Sequence, residues 1–127
     1  MKNPEQDEIR EIYQVYQDYY GHIPDWVKMM GDKRPDALYH YYQLRKIGVE
    51  DGVLPRKVKE LILIGINLVR RYETGLELHI KGALDAGATV EEICETIVTA
   101  MVAGAACAMI SGPRILLEVL EKRKVGK

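Results

Sequence analysis

The sequence predicts an all-α fold organised around a central antiparallel helix hairpin. Apolar residues recur at helical spacing along most of the chain, and Gly or Pro residues separate the periodic segments. No stretch has the apolar–polar alternation of a strand that would compete with these helices. The length of 127 residues favours one domain, residues 1–127. A core of this size gives modest stability unless subunits associate.

Three helices are predicted in the first half of the chain, each with a proline at or near its start. The first begins at Asn3-Pro4, since Asn is a good N-cap, and continues to residue 20. The second begins at Pro24 and the third at Pro35. A glycine is the expected terminator of each helix, in the order Gly21, Gly31 and Gly48.

Residues 56–70 are the first long core helix that the sequence predicts. Apolar residues occupy all sides of this segment, which is typical of a helix buried on most of its surface. Such burial is difficult to achieve in a lone small domain, so we expect contacts between subunits. A short connection at residues 70–73 would lead into the second helix of the hairpin.

Capping signals divide the rest of the chain. Two Thr-x-x-Glu patterns, at residues 74–77 and 89–92, predict capping boxes at the starts of two helices. The stretch at residues 103–106 is rich in Ala and Gly and favours close helix packing. Gly112-Pro113 is expected to kink the last helix or to restart it. The basic tail, residues 122–127, is expected to fray.

Composition excludes several classes of function. The formal charge of −1 gives no electrostatic reason to expect a nucleic-acid partner, and the longest apolar run, about nine residues, is too short to cross a bilayer. No secretory leader pattern begins the chain, so we expect a cytoplasmic protein. Cys94 and Cys107 fit neither a redox pair nor a metal-ligand spacing and are predicted to be small buried residues. No metal site is indicated.

Glu60 and His79 are the candidate acid–base site. If the two central helices turn near residues 71–73, the axial positions of Glu60 and His79 differ by roughly one helical turn. Their side chains could then meet directly or through one water, and a carboxylate beside an imidazole can pass protons. Structural roles are the alternative for both residues, since Glu60 also favours the first turn of its helix through the helix dipole.

The spacing of these residues resembles a known motif. Glu60, eleven residues, position 72, two residues, position 75, three residues and His79 is similar to the motif of the carboxymuconolactone decarboxylase and AhpD-like alkylhydroperoxidase superfamily. The flanking segments LPRKVKELILIGINL and HIKGALDAGATVEEICETI are also similar to it, and the resemblance covers roughly residues 20–120. It implies an AhpD-like helical fold that assembles as a homotrimer or homohexamer.

The two branches of this superfamily differ at two positions. The peroxidase branch has a redox pair of cysteines where this chain has Tyr72 and Gly75, and neither residue can supply a thiolate. The chain is therefore more similar to the decarboxylase branch. That resemblance implies a cofactor-independent lyase that acts on a small carboxylated lactone or a related acid, with His79 as the acid and Glu60 as its partner.

Three further residues are candidates for substrate binding. Tyr72 could donate a hydrogen bond to a substrate, Arg71 could hold a carboxylate, and His22 could line a cleft. Structural roles are the alternative for all three. Two other functions also stay open: an AhpD-like antioxidant enzyme, which the missing cysteines disfavour, and a non-catalytic helical oligomer that binds a small ligand.

Overall fold

The computed structural model describes residues 3–104 and 106–125, and within these ranges it contains seven α-helices and no strand. The all-α class is therefore confirmed. The helices are α1 (Gln6–Tyr20), α2 (Asp25–Lys33), α3 (Pro35–Val49), α4 (Arg56–Arg70), α5 (Glu73–Asp85), α6 (Val90–Gly104) and α7 (Ala106–Val125). They fall into two compact units, Met1–Gly48 and Val49–Lys127, which we call the N-terminal and C-terminal units.

The N-terminal unit packs α1 and α2 with the main part of α3 around a small aromatic core. Ile12, Val27 and Leu38 are fully buried at its centre. Tyr16 is also buried, and loss of water around its phenol raises the pKa of Tyr16 to about 12. The rings of Trp26 and Tyr16 pack edge to face at a centroid distance of 5.5 Å, a geometry that aromatic pairs prefer.

The boundaries of α1, α2 and α3 are close to those predicted, with three corrections. Gly48 lies inside α3, which ends at Val49, so it is not the terminator. Helix α1 begins at Gln6, and its N-cap is Glu5 in a capping box with Glu8. The predicted start at Asn3-Pro4 was therefore early. Gly31 does not end α2, which continues to Lys33. A Cβ at Gly31 would lie 2.7 Å from Tyr13 Cζ, so this glycine allows α1 and α2 to pack closely.

The C-terminal unit is built on an antiparallel hairpin of α4 and α5. Its core is apolar and draws on all four helices: Ile64, Leu68, Leu76, Ile80, Ile93, Ile97, Ile115, Leu116 and Val119. Helix α6 runs parallel to α4, because Lys57 Nζ lies 3.0 Å from Glu92 Oε1 near one end and Val69 packs on Gly104 near the other. Helix α7 packs on α5 and α6 and contains Pro113 without interruption.

Two expectations for the ends of these helices were wrong. Thr74 does not cap α5, since the N-cap is Tyr72 and Thr74 lies inside the first turn. The basic tail is helical to Val125, because Lys122 Nζ bonds Glu77 on α5 at 2.9 Å and Arg123 bonds Asp85 on α5 at 2.8 Å. Residues 126 and 127 lie outside the described residues.

The capping box at the start of α6 is confirmed. The Glu92 amide donates to Thr89 Oγ1 at 3.0 Å, and the Thr89 amide donates to Glu92 Oε2 at 2.9 Å. Close packing of the small-residue segment is also confirmed at Gly104, although Ala105 lies outside the described residues. The cysteine prediction was partly wrong, since Cys94 is exposed on α6 while Cys107 is half-buried and bonds the Gly104 carbonyl at 2.8 Å.

Candidate active site

Glu60 is a carboxylate buried by the packing of its own helix. The buried residues of α4 are Glu60, Ile64, Asn67 and Leu68, which share one face at helical spacing. This face packs on α5, so Glu60 is carried into the core and keeps only 2% of its surface exposed. A buried carboxylate is costly unless it finds a partner.

His79 is that partner. It lies in the middle of α5, and its Nδ1 is 2.7 Å from Glu60 Oε2. The predicted contact across the hairpin is therefore confirmed, as a direct hydrogen bond. The side chain of His79 is 12% exposed and that of Glu60 is 3% exposed, so the bond is shielded from water while the imidazole keeps a narrow opening to solvent.

Gly82 and Arg56 fix the Glu60 carboxylate from two other directions. A Cβ at Gly82 would lie 2.6 Å from Glu60 Cδ, so a side chain at this position would displace the carboxylate from where it lies. Arg56 lies one turn before Glu60 on α4, and its Nε is 3.6 Å from Glu60 Oε1. The carboxylate therefore has one oxygen near a guanidinium and the other on the imidazole.

Tyr72 lies at the turn of the hairpin, where it is the N-cap of α5. Tyr72 is half exposed, and its ring covers Gly75, where a Cβ would lie 2.6 Å from Tyr72 Cδ1. The same Cβ would lie 2.7 Å from Oδ1 of buried Asn67. Gly75 precedes His79 by one helical turn on the same face. Positions 72 and 75 are thus packed against each other at the start of α5.

The other two predicted binding residues are placed differently. Arg71 ends α4 in the left-handed conformation, with φ 58°, and its side chain is exposed. It lies next to Tyr72 at the same end of the hairpin. His22 belongs to the N-terminal unit, where it is exposed and its Nδ1 bonds the Tyr20 carbonyl at 3.2 Å.

Asn67 and Gly82 are site residues that the sequence analysis missed. Asn67 is the single amide in the apolar run from Leu61 to Val69 and lies two turns after Glu60. A lone polar side chain in an apolar run was the feature that could have identified it as a site residue. Its Nδ2 donates to the Leu63 carbonyl at 2.9 Å, so its oxygen is left to face Gly75. Gly82 gave no local signal, because its role depends on a contact between two helices.

The arrangement is suited to moving a proton. An ionised carboxylate can only accept hydrogen bonds, so His79 donates its Nδ1 proton to Glu60. This leaves Nε2 as the atom that exchanges a proton with a bound molecule. Among the described residues, His40 Nε2 is the one side-chain nitrogen or oxygen that is buried without a hydrogen-bond partner. His79 Nε2 is not such an atom, so it is not enclosed in the core. No cluster of three or more His, Cys, Asp or Glu side chains in residues 3–104 and 106–125 is arranged to hold a metal ion.

The fold and this pair define an all-α protein with a shielded carboxylate–imidazole couple on a helix hairpin. The model of the carboxymuconolactone decarboxylase family matches residues 35–118, about two thirds of the chain, and the protein belongs to that family. The match contains the whole hairpin, including Glu60 and His79.

The chain is also similar to individual proteins. Uncharacterized protein 4 in the cox locus of Paracoccus denitrificans is 35% identical over 83 residues, which cover 64% of this chain and 75% of that protein. The fold is similar to a crystal structure from Burkholderia xenovorans LB400, described as a candidate carboxymuconolactone decarboxylase. The TM-score is 0.76 and the identity 23%, over 94% of this chain and 93% of that one.

A second solved structure has the same fold. It is the apo form of a carboxymuconolactone decarboxylase family protein from Legionella pneumophila, with a TM-score of 0.70 and 20% identity over 91% of this chain and 97% of that one. In the part of the chain that the structure describes, no helix is both long and apolar enough to cross a membrane.

Proposed function

We propose that this protein is a cofactor-independent lyase that releases CO2 from a small carboxylated lactone or a related acid. The observation that carries the proposal is the 2.7 Å hydrogen bond between His79 Nδ1 and the buried Glu60 carboxylate. Family membership supports the choice of reaction, because decarboxylation gives the family its name.

The reaction needs one proton on carbon. When the bond between the carboxylate and the substrate carbon breaks, CO2 leaves and the electron pair remains in the conjugated ring system as a dienolate. Protonated His79 then donates its Nε2 proton to a carbon of this dienolate, and water restores the proton to the imidazole. Glu60 stabilises the imidazolium and holds the ring in the orientation that presents Nε2.

Substrate binding is assigned to residues near the turn of the hairpin. Arg71 supplies a cation for the substrate carboxylate, and Tyr72 supplies a phenol that donates a hydrogen bond to the substrate. His22, in the N-terminal unit, stays a separate candidate for substrate binding. We further propose one domain over residues 1–127 and a cytoplasmic homotrimer or homohexamer, with a small molecule as its substrate and neither nucleic acid nor membrane as a partner.

The alternative functions receive less support. A thiol-dependent peroxidase requires a nucleophilic sulfur beside the proton relay, and Tyr72 and Gly75 occupy those positions of the motif. A non-catalytic binding protein would have no need for the imidazole and would pair Glu60 with a cation. Arg56 does lie near Glu60, but at 3.6 Å it is farther than His79 at 2.7 Å.

CO2 release from γ-carboxymuconolactone by the purified oligomer tests the proposal. We expect turnover by the wild type and a loss of kcat by about 10²–10⁴-fold in His79→Gln, the usual range for removing a general acid. Glu91→Gln, which changes an exposed carboxylate on α6, is the matched control and should keep full activity. A His79→Gln variant with unchanged kcat would refute the assigned acid, and an inactive wild type would refute this substrate class.

A further inference from the structure

Three helices of the N-terminal unit bring aromatic rings together at the surface. Trp26 of α2 packs edge to face with Tyr16 of α1, at a centroid distance of 5.5 Å. It also packs edge to face with Tyr41 of α3, at 6.0 Å and an interplanar angle of 85°. We call these three residues the aromatic corner. Trp26 is 47% exposed and Tyr41 is 52% exposed, so two perpendicular rings present aromatic surface to solvent.

Tyr16 is the buried member of the aromatic corner, and its hydroxyl has no partner. The residue is 5% exposed, and the hydroxyl forms no hydrogen bond with any residue in ranges 3–104 and 106–125. Within those ranges, His40 Nε2 is the one polar side-chain atom enclosed without a partner, so the Tyr16 oxygen keeps an opening to solvent. Burial raises the pKa of Tyr16 to about 12, and the protonated hydroxyl is a hydrogen-bond donor.

Arg45 supplies a positive charge beside the aromatic corner. It follows Tyr41 by one helical turn on α3, so the two side chains are neighbours on one face of the helix. Burial raises the pKa of Tyr16 and the charge of Arg45 opposes that rise, which places the guanidinium near the Tyr16 hydroxyl. Arg45 is half-buried, so it has lost part of its hydration.

The other arginines of the N-terminal unit already have carboxylate partners. Arg10 pairs with Asp7 at 3.1 Å, and Arg34 pairs with Asp36 at 2.9 Å. Arg45 has no such partner in the part of the chain that the structure describes. A partly desolvated guanidinium without an anion is costly, so an external anion would stabilise it.

We propose that the aromatic corner and Arg45 bind a small aromatic carboxylate. Its carboxylate accepts hydrogen bonds from the Arg45 guanidinium and from the Tyr16 hydroxyl. Its ring stacks on one of the two exposed rings and meets the other at its edge, because Trp26 and Tyr41 are perpendicular. An acid without a ring would leave the aromatic surface in water, and a ring without an acid would leave Arg45 unpaired.

This binding site is distinct from the proposed acid–base site. The aromatic corner and Arg45 belong to the N-terminal unit, whereas Glu60 and His79 belong to the C-terminal unit. None of the four residues of the proposed site has a role in the proposed reaction. The inference therefore goes beyond that reaction, and it would stand if the reaction were shown to be a different one.

Calorimetric titration of the purified full-length protein with benzoate tests the proposal. We expect saturable binding, and the fluorescence of Trp26 should change along the same curve, since Trp26 is the single tryptophan of the chain. Cyclohexanecarboxylate keeps the charge but lacks the aromatic ring, and benzyl alcohol keeps the ring but lacks the charge. Both should bind more weakly than benzoate, benzyl alcohol by about tenfold or more because it cannot pair with Arg45.

Substitutions locate the bound benzoate. Arg45→Met should weaken binding by about tenfold or more, the effect of losing hydrogen bonds to a charged group. Tyr16→Phe keeps the ring and removes only the hydroxyl, so it should weaken binding by about two- to tenfold. Arg10→Met is the matched control, because it removes an exposed arginine of α1, and it should bind benzoate as the wild type does. His79→Gln should also keep wild-type affinity.

Four results would overturn the proposal. They are the absence of saturable benzoate binding, equal affinity for the three probes, wild-type affinity in a helical Arg45→Met variant, and weaker binding in His79→Gln. The last result would place benzoate at the acid–base pair instead. Circular dichroism reports the helix content of each variant. If Arg45→Met lost helix content, Tyr16→Phe with wild-type affinity would overturn the proposal in its place, since that variant keeps every ring contact of the corner.

Discussion

Gly82→Ala should displace the Glu60 carboxylate while leaving both members of the acid–base pair in the sequence. The new Cβ would lie 2.6 Å from Glu60 Cδ and 2.8 Å from Oε2, so the carboxylate must leave the position from which it bonds His79. An alanine in a helix interior gains about 1 kcal/mol over glycine. Losing a hydrogen bond to a buried charged group costs about 1.5–3 kcal/mol. The expected net destabilisation is about 0.5–2 kcal/mol.

Gly48→Ala is the control for this substitution. It makes the same change near the end of α3, where a Cβ meets nothing within 4 Å among the described residues, and should gain up to about 1 kcal/mol. Urea unfolding, followed by helical circular dichroism at one protein concentration, measures both variants without a contribution from changed association. Gly82→Ala should also lower kcat for CO2 release. A Gly82→Ala variant as stable and as active as Gly48→Ala would refute the packing argument.

Two further predictions concern local contacts. Thr89→Ala removes the side-chain cap of α6 and should lower the free energy of unfolding in urea by about 1 kcal/mol. Thr74→Ala, at the position wrongly expected to cap α5, should leave that free energy unchanged. Equal losses in the two variants would contradict the cap assignment. Hydrogen bonds from Arg34 lower the pKa of Asp36 from 3.8 to about 2. This folded-state pKa is below the unfolded one, so the ion pair adds stability above about pH 4 and loses it as the pH falls toward 2. NMR titration should show the Asp36 midpoint rising toward 3.8 in Arg34→Met, and an unchanged midpoint would show that Arg34 is not the cause of the low pKa.

The acid–base pair was predictable because it depends on helix geometry alone. Once residues 56–70 and the following segment are identified as a hairpin, the rise per residue fixes the axial levels of Glu60 and His79. The capping box at Thr89 was predictable for a similar reason, since the pattern and the hydrogen bonds it forms are local. The resemblance at the motif then indicated the family that the match to residues 35–118 confirmed.

The remaining features depend on contacts between distant segments, which no local pattern records. The sequence predicts that Gly31 ends its helix, but the structure shows that it makes room for the Tyr13 ring. The sequence predicts that the basic tail is frayed, but ion pairs with carboxylates on α5 stabilise it as a helix. The apolar groove between α4 and α6 also results from how these two helices pack. The sequence could indicate only that α4 is too apolar to be fully exposed to solvent.

The tautomer of neutral His79, read from its ¹⁵N NMR shifts, tests the central claim most directly. We propose that Glu60 accepts a hydrogen bond from His79 Nδ1–H, so that Nε2 is the nitrogen that exchanges a proton with the substrate. The wild type should show the Nδ1–H form, and Glu60→Gln should lose the preference for it. A wild type with its proton on Nε2, or a spectrum that Glu60→Gln leaves unchanged, would contradict the claim.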